Sequence, residues 1–138
     1  MTVAVPGTSP VDLLRDLVRI PSPSGEEERI ARRVEGELRS LGFEPRRSGR
    51  NVYALLGEKG PLLLLNSHTD TVPVGESWTH PPLEAELSDG KVWGRGANDA
   101  KGCLAAMIHG AARAFSQNPP RGRLCLAATC EEETSGQG

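Results

Sequence analysis

Residues 62–70 read Leu-Leu-Leu-Leu-Asn-Ser-His-Thr-Asp, and this stretch decides the predicted fold. Four consecutive leucines are typical of a strand that is buried on both faces, inside a parallel or mixed sheet covered by helices. The strand then runs into a polar cluster that contains His68 and Asp70. Because ligands of open α/β sheets bind at the carboxyl ends of the strands, this cluster is the first candidate for a functional site.

His68 and Asp70 stand two residues apart, and strand geometry places side chains of that spacing on one face of a sheet. A carboxylate near a histidine can select its tautomer and raise its basicity as a metal ligand. A histidine at the end of a strand is nevertheless more often a satisfied polar residue than a ligand. The cluster therefore needs support from other parts of the sequence.

The composition indicates a globular domain. Of 138 residues, 37% are hydrophobic and 25% are charged, and no apolar run approaches the roughly 18 residues of a membrane helix. A formal net charge of -2 gives no reason to expect nucleic acid or a membrane surface as a partner. Residues 1–7 show no secretion signal, and three sparse cysteines are typical of reduced thiols. We therefore expect a cytoplasmic protein.

Local signals predict two helices before the leucine strand. Ser9 is a good N-cap, and Pro10 suits the first helical position. Ser24 and Glu27 have the spacing of a capping box for the second helix, and Gly42 is a natural residue to follow its end.

The rest of the chain adds strands and one further helix. Residues 51–56 read as a strand, and the turn at 58–61 favours a hairpin between it and the leucine strand. Further along, the sequence predicts an Asp89-Gly90 hairpin, a glycine-rich loop at 94–99, an alanine-rich helix at 101–115, its end at residues 118–122, and a second buried strand at 124–129. We predict an α/β fold with a mixed, mostly parallel sheet flanked by helices.

Two more polar clusters follow structural elements. Asp99 ends the glycine-rich loop, and Glu131, Glu132 and Glu133 follow the second buried strand. Three adjacent glutamates are costly to bring together unless solvent or a cation compensates their charge. Histidine nitrogens and carboxylate oxygens are normal zinc ligands, and a glutamate outside the ligand set can act as a general base. Each cluster alone is weak evidence, since acidic triplets are mostly solvated and glycines often only make turns.

Taken together, three motifs resemble the signatures of one family. They are Leu65-Asn-Ser-His-Thr-Asp-Thr-Val-Pro73, Gly94-Arg-Gly-Ala-Asn-Asp-Ala-Lys-Gly102 and Glu131-Glu-Glu-Thr-Ser-Gly136, and residues 20–26 resemble the N-terminal segment of the same family. The family is that of the co-catalytic zinc hydrolases acetylornithine deacetylase, succinyl-diaminopimelate desuccinylase, aminoacylase and glutamate carboxypeptidase. The resemblance implies a zinc-exopeptidase-like catalytic domain.

The resemblance also implies roles for individual residues. His68 would bind one metal ion, Asp99 would bridge two, and Glu133 would bind the second. Asp70 would orient His68 and is counted with Glu132, the implied general base, among the catalytic residues. In this family the peptide bond after the bridging aspartate is often cis, and Glu131 receives no direct role.

The implied reaction is hydrolysis of an amide with two zinc ions, although cobalt or manganese would also suit these ligands. Thr71-Val72-Pro73 and Trp78 resemble deacetylases of the acetylornithine type most, so an N-acyl amino acid is the expected small-molecule substrate. A desuccinylase, a dipeptidase and a carboxypeptidase of the same family stay open as alternatives.

Some parts of the family pattern lie outside this sequence. An acidic ligand that follows the glutamate motif, a late histidine, and the smaller domain that covers the site and often dimerises are all missing, and His80 and His109 do not match the late histidine. We therefore expect residues 1–138 to be the N-terminal part of a catalytic domain, inactive alone, from a full-length protein that could be a homodimer. Two alternatives of other classes are a non-catalytic truncated chain that binds metal weakly and a binding domain with a solvated acidic rim.

Overall fold

The computed structural model describes residues 7–117 and 121–138. In chain order its elements are α1 (Pro10–Val18), α2 (Glu28–Ser40), β1 (Pro45–Ser48), β2 (Asn51–Leu56), β3 (Leu62–His68), β4 (Glu86–Ser88), β5 (Lys91–Trp93), α3 (Lys101–Gln117) and β6 (Arg123–Thr129). Residues 118–120, predicted to end the alanine-rich helix, and residues 1–6 of the segment searched for a secretion signal lie outside the described residues.

Four strands form the main sheet, in the order β1-β2-β6-β3. β1 pairs with β2 and β2 with β6 in antiparallel fashion, whereas β3 and β6 run parallel, with His68 opposite Thr129. The predicted mixed sheet with flanking helices is confirmed. The sheet is not mostly parallel, because two of these three pairings are antiparallel. Since β3 and β6 end at the same edge, the motifs that follow them become neighbours.

The predicted hairpin between β2 and β3 is wrong, because β6 lies between these two strands. The connecting turn packs against the start of β6: the Arg123 amide donates to the Pro61 carbonyl at 2.8 Å, and a Cβ on Gly57 would lie 2.3 Å from the Gly122 oxygen. The turn therefore passes the start of β6 instead of closing a two-stranded ribbon. β2 forms its hairpin with β1, which lies at the opposite edge of the sheet.

Burial of the leucine strand on both faces is also contradicted. Leu62, Leu63 and Leu64 are 49%, 59% and 57% exposed. The strand register places Leu62 and Leu64 on the face opposite the buried Leu124 and Leu126. The helices pack on the face of Leu124 and Leu126, and β3 is an edge strand, so these leucines have few neighbours within the described part of the chain.

The core between the helices and that covered face is apolar. It contains residues from every helix and from the two central strands, among them Leu13, Leu17, Ile30, Val34, Leu38, Val52, Ala54, Leu104, Ile108, Leu124 and Leu126. Removal of such side chains from water is the main favourable term in folding. Within the described residues no helix combines the length and apolarity needed to cross a membrane.

Most local signals are confirmed. Ser9 caps α1, with its hydroxyl accepting the Asp12 amide at 3.1 Å. Gly42 adopts φ +83°, and the next amide donates to the Leu38 carbonyl at 2.9 Å, which closes α2. The two-residue loop at Asp89-Gly90, with both φ angles positive, joins β4 to β5.

The predicted capping box at Ser24 and Glu27 does not form. α2 begins at Glu28, and its N-cap residue, Glu27, makes no side-chain cap hydrogen bond. The Ser24 hydroxyl donates to Asp70 at 2.6 Å, and the Glu27 carboxylate accepts the amides of Gly25 and Glu131. Both side chains contact the segments around the candidate site, which local spacing could not show.

Candidate metal centre

Three predicted ligands meet at the carboxyl edge of the sheet. His68 ends β3, Glu133 lies in the loop after β6, and Asp99 lies in the loop before α3. One ligand atom from each lies within 4.8 Å of the others. The parallel pairing of β3 with β6 therefore brings two of the motifs together, and the glycine-rich loop adds the third.

His68 is buried, and its two ring nitrogens have different surroundings. Nδ1 lies 3.0 Å from the Asp70 backbone oxygen, which can only accept, so Nδ1 carries the hydrogen in that contact. Nε2 faces Asp99 Oδ1 at 3.0 Å and Glu132 Oε2 at 3.9 Å. Burial lowers the pKa of His68, but the hydrogen bond to Asp99 and the contacts with Asp70 and Glu132 outweigh it, so the pKa is raised. Nε2 is the nitrogen directed toward the other candidate ligands.

Asp70 makes more contacts than the expected one with His68. Its carboxylate is fully buried and accepts the Ser24 hydroxyl at 2.6 Å and the amides of Glu132 and Glu133 at 3.1 and 3.0 Å. The distance from Asp70 Oδ1 to His68 Nδ1 is 3.5 Å, longer than that from the Asp70 backbone oxygen. Burial raises the pKa of Asp70, but the hydroxyl and amide donors outweigh it and lower the pKa. Asp70 thus ties β3 to the loop that carries the glutamates.

The three glutamates point in different directions. Glu131 has a left-handed backbone, with φ +57°, and its side chain contacts Arg50 and accepts the Ser135 hydroxyl at 2.9 Å. The Glu132 side chain is exposed beside His68, and Glu133 belongs to the three-residue donor group. Glu131 therefore lies outside the three-residue donor group and contacts Arg50 and Ser135 instead.

Close packing shapes the glycine-rich loop. A Cβ on Gly96, where φ is +75°, would lie 2.6 Å from Thr71 Cγ2, so this loop approaches the segment after β3 only without a side chain there. The Gly96 carbonyl accepts the Lys101 amide at 3.0 Å, at the first residue of α3. The Asp99–Ala100 peptide bond is cis, in agreement with the geometry implied by the resemblance.

A cavity of about 350 Å³ lies beside the donor group. Its lining includes Thr71, Val72, Arg95, Asp99 and Glu133. Arg95 is held over the Trp78 ring, 5.0 Å from its centroid, and donates to the Val74 carbonyl. The candidate ligands therefore border a space that could admit a small molecule.

Two other histidines lie outside the donor group. His80 stacks on Trp93 with ring centroids 4.1 Å apart and contacts Glu86. His109 is buried in α3 and contacts Glu37 of α2 at 3.1 Å.

Sequence reasoning assigned no role to the buried Lys101, although it belongs to the quoted motif. Its Nζ donates to the Ile20 carbonyl at 2.9 Å, and burial lowers its pKa to about 8. This bond ties the start of α3 to the segment that precedes α2. A lysine at the start of an alanine-rich helix carries no local signal of burial, because exposure is its usual state.

A sheet with histidine and carboxylate donors at its carboxyl edge defines an α/β protein with a candidate metal centre. Within that class, the chain belongs to Peptidase family M20/M25/M40, whose model matches residues 64–138. The family predicted from the three motifs is thereby confirmed.

Relatives and solved structures agree with this assignment. A succinyl-diaminopimelate desuccinylase from Rhodospirillum centenum is 39% identical over 136 residues, covering 90% of this chain and 35% of that protein. An M20 family metallo-carboxypeptidase from Sulfolobus solfataricus has a TM-score of 0.81 at 24% identity, covering 91% of this chain and 31% of that one. A dinuclear metal-binding peptidase of the M20 family from Bacillus subtilis has a TM-score of 0.68 at 21% identity, covering 90% of this chain and 35% of that one. The chain thus spans 35% of the curated relative's length, and the two structures show a shared fold.

Proposed function

We propose that residues 1–138 form the N-terminal part of the catalytic domain of a metal-dependent amide hydrolase. The observation that carries the proposal is the convergence of His68, Asp99 and Glu133, from three separate segments, to within 4.8 Å. The family assignment supports it, because residues 64–138 contain all three. The remaining ligands and a second domain would belong to the rest of a longer protein, which we expect to be a cytoplasmic homodimer.

The donor chemistry fits zinc, since imidazole nitrogen and carboxylate oxygen are common zinc ligands. We propose two metal ions, as in the dinuclear Bacillus subtilis peptidase, with zinc favoured and cobalt or manganese also compatible. Asp99 suits a bridging position because it has two oxygens and an exposed side chain facing His68. When bound, the metal ions would polarise the substrate carbonyl and acidify water.

Glu132 is the proposed general base. It lies beside His68, with 3.9 Å between Oε2 and Nε2, but outside the donor group of His68, Asp99 and Glu133. From that position its carboxylate can take a proton from water and deliver it to the leaving amine. Asp70 holds the loop on which Glu132 and Glu133 stand, and its backbone oxygen directs His68 Nε2 toward the centre.

The proposed substrate is an N-acyl amino acid. The motif context favoured an acetylornithine-type deacetylase, whereas the relative that is 39% identical is a succinyl-diaminopimelate desuccinylase. The 39% identity to that desuccinylase extends over 90% of this chain and supports a substrate more strongly than the short motif context does. We therefore place removal of a succinyl group first and removal of an acetyl group second.

Zinc binding by this chain tests the metal centre. We expect His68→Ala to lower zinc affinity by at least about 100-fold in competition with a chromophoric chelator, because it removes a direct ligand. His80→Ala is the matched control, since His80 lies at the surface against Trp93 and should leave the affinity unchanged. Equal zinc binding by His68→Ala and the unmodified chain would contradict the proposal and favour a binding domain with a solvated acidic rim.

Activity of the full-length protein tests the reaction. N-succinyl and N-acetyl amino acids and a dipeptide form the substrate panel, and Glu132→Gln should lower kcat by about 100-fold or more with zinc content kept. Glu58→Gln, in an exposed turn, is the control. Turnover by the purified 138-residue chain, abolished by Glu132→Gln and by chelation, would refute the expectation that it is inactive alone.

A further inference from the structure

Side chains, not backbone carbonyls, accept four consecutive amides of the loop after β6. Asn51 accepts the Cys130 amide at 2.9 Å, and Glu27 accepts the Glu131 amide at 3.0 Å. Asp70 accepts the next two amides, at 3.1 and 3.0 Å. The path of this loop is therefore set by three side chains from outside it.

Glu27 is fully buried, and none of the expected site roles involves it. Its Oε1 accepts the Gly25 amide at 2.9 Å as well as the Glu131 amide. Its Oε2 lies 2.6 Å from Arg50 Nε, and Arg50 also contacts the Glu131 carboxylate through Nη2. Glu27 thus connects the segment before α2, the β1–β2 turn and the loop after β6 that carries Glu131, Glu132 and Glu133, called the glutamate loop below.

The loop needs such support because Glu131 has φ +57° without being glycine. A left-handed backbone is strained for a residue with a side chain, and it persists where its surroundings hold it. Glu27 holds the Glu131 amide, and Arg50 holds its side chain. Glu131 directly precedes Glu132 and Glu133, so its backbone conformation sets the direction that the chain takes through these two residues.

We infer that Glu27, paired with Arg50, is a positioning residue that directs Glu132 and Glu133 toward the metal centre. Glu27 is not among the donor residues and acts through the Glu131 backbone. The inference rests on the proposed metal function, since the direction of these glutamates has a consequence only if the centre binds metal.

Zinc affinity of this chain, measured by chelator competition alongside thermal unfolding, tests the role. Glu27→Ala removes both the amide acceptor and the partner of Arg50, and we expect it to lower zinc affinity by about tenfold or more. Glu27→Gln keeps an oxygen for the Glu131 amide but presents an NH₂ group to Arg50, so its loss should be smaller, about threefold. Glu28→Gln is the matched control, because the half-exposed Glu28 side chain, next to Glu27 in the chain, forms ion pairs with Arg32 and Arg47.

Cobalt(II) absorption gives a readout that general destabilisation would not change. If Glu133 moves away from the centre, the visible spectrum of the cobalt-loaded Glu27→Ala chain should differ from that of Glu28→Gln, which should match the unmodified chain. A lower melting temperature with unchanged zinc affinity and an unchanged cobalt spectrum would overturn the positioning role. If Glu27→Ala does not fold, Glu27→Gln is the deciding variant. A zinc affinity of Glu27→Gln equal to that of the unmodified chain would also overturn the positioning role.

His68→Ala separates the two proposals. Loss of zinc binding in His68→Ala with full binding in both Glu27 variants would overturn the positioning role and leave the metal centre standing. Unchanged binding in His68→Ala would overturn the metal centre, and the positioning role with it.

Discussion

The Asp70 carboxylate accepts the Glu132 backbone amide at 3.1 Å and so joins the end of β3 to the loop after β6. The same carboxylate accepts the amide of Glu133 and the hydroxyl of Ser24. An aspartate expected mainly to orient a histidine therefore also holds the loop that carries the proposed base and one proposed ligand. This second contribution can be measured without metal and without substrate.

Asp70→Asn should destabilise the metal-free chain. An amide side chain cannot accept all three hydrogen bonds, so we expect the free energy of unfolding in urea to fall by about 1–3 kcal/mol at neutral pH. Asp89→Asn, in the exposed β4–β5 turn, is the control and should change it little, since asparagine suits this turn equally well.

The effect of Asp70→Asn should depend on pH in a defined direction. The pKa of Asp70 is lowered from 3.8 in the folded chain, so the unfolded chain binds the proton more readily. The stabilisation is therefore present above pH 3.8 and is lost as the pH falls through the folded pKa. The difference between the two proteins should narrow as the pH falls below about 4, and a constant difference across that range would contradict the lowered pKa.

Lys101→Met should change stability on the alkaline side. Burial lowers the pKa of Lys101 from 10.5 to about 8, so between these values the unfolded chain binds more protons than the folded chain. Stability from this group therefore rises with pH across that interval, and methionine removes the dependence. Urea unfolding across the interval should show the unmodified chain gaining stability relative to Lys101→Met.

Lys59→Met is the control for that comparison, because Lys59 lies exposed in the turn after β2. The unfolding free energy of Lys59→Met should change with pH in the same way as that of the unmodified chain. Parallel curves for Lys101→Met and the unmodified chain would show that Lys101 titrates normally.

Glu37→Gln should weaken the packing of the helices. Glu37 is buried and contacts Arg33 Nη1 at 2.9 Å and His109 Nε2 at 3.1 Å, and Arg33 also contacts Asp16 at 3.0 Å. These contacts link α1, α2 and α3, so loss of the carboxylate should lower the free energy of unfolding by about 1–3 kcal/mol.

The matched control for Glu37→Gln is Arg32→Gln on the same helix. The Arg32 side chain is 74% exposed and pairs with Glu28, and an exposed pair of this kind contributes less than about 1 kcal/mol. Equal unfolding free energies for the two variants would show that the buried contacts of Glu37 add nothing beyond a surface ion pair.

Features that depend on neighbours in the sequence were predictable. The Ser9 cap, the Gly42 helix end and the Asp89-Gly90 turn involve partners within a few residues, and all three occur as predicted. The positions of His68 at the end of a strand, of Asp99 in the loop before α3 and of the glutamates in the loop after β6 could be read in the same way.

Features that depend on distant partners were not predictable. The Ser24-Glu27 spacing satisfied a capping box, yet Ser24 contacts Asp70 and Glu27 contacts Glu131. Residues 51–68 had the pattern of a hairpin, yet β6, from more than fifty residues later, lies between β2 and β3. Local spacing shows which contacts a segment can make with its neighbours in the sequence. Where a contact with a distant segment has the lower free energy, that contact forms instead.

By itself, the sequence determined the family, the order of the elements and the residues proposed as metal ligands, because motif spacing, periodicity and donor chemistry are properties of the chain. The tertiary structure alone decided that the donors meet, that Leu62 to Leu64 are exposed along an edge strand, and that buried Asp70 and Glu27 hold the glutamate loop. The physical reason is that buried carboxylates and backbone amides must find partners wherever the fold places them, and strand pairing, not sequence separation, sets which partners are near.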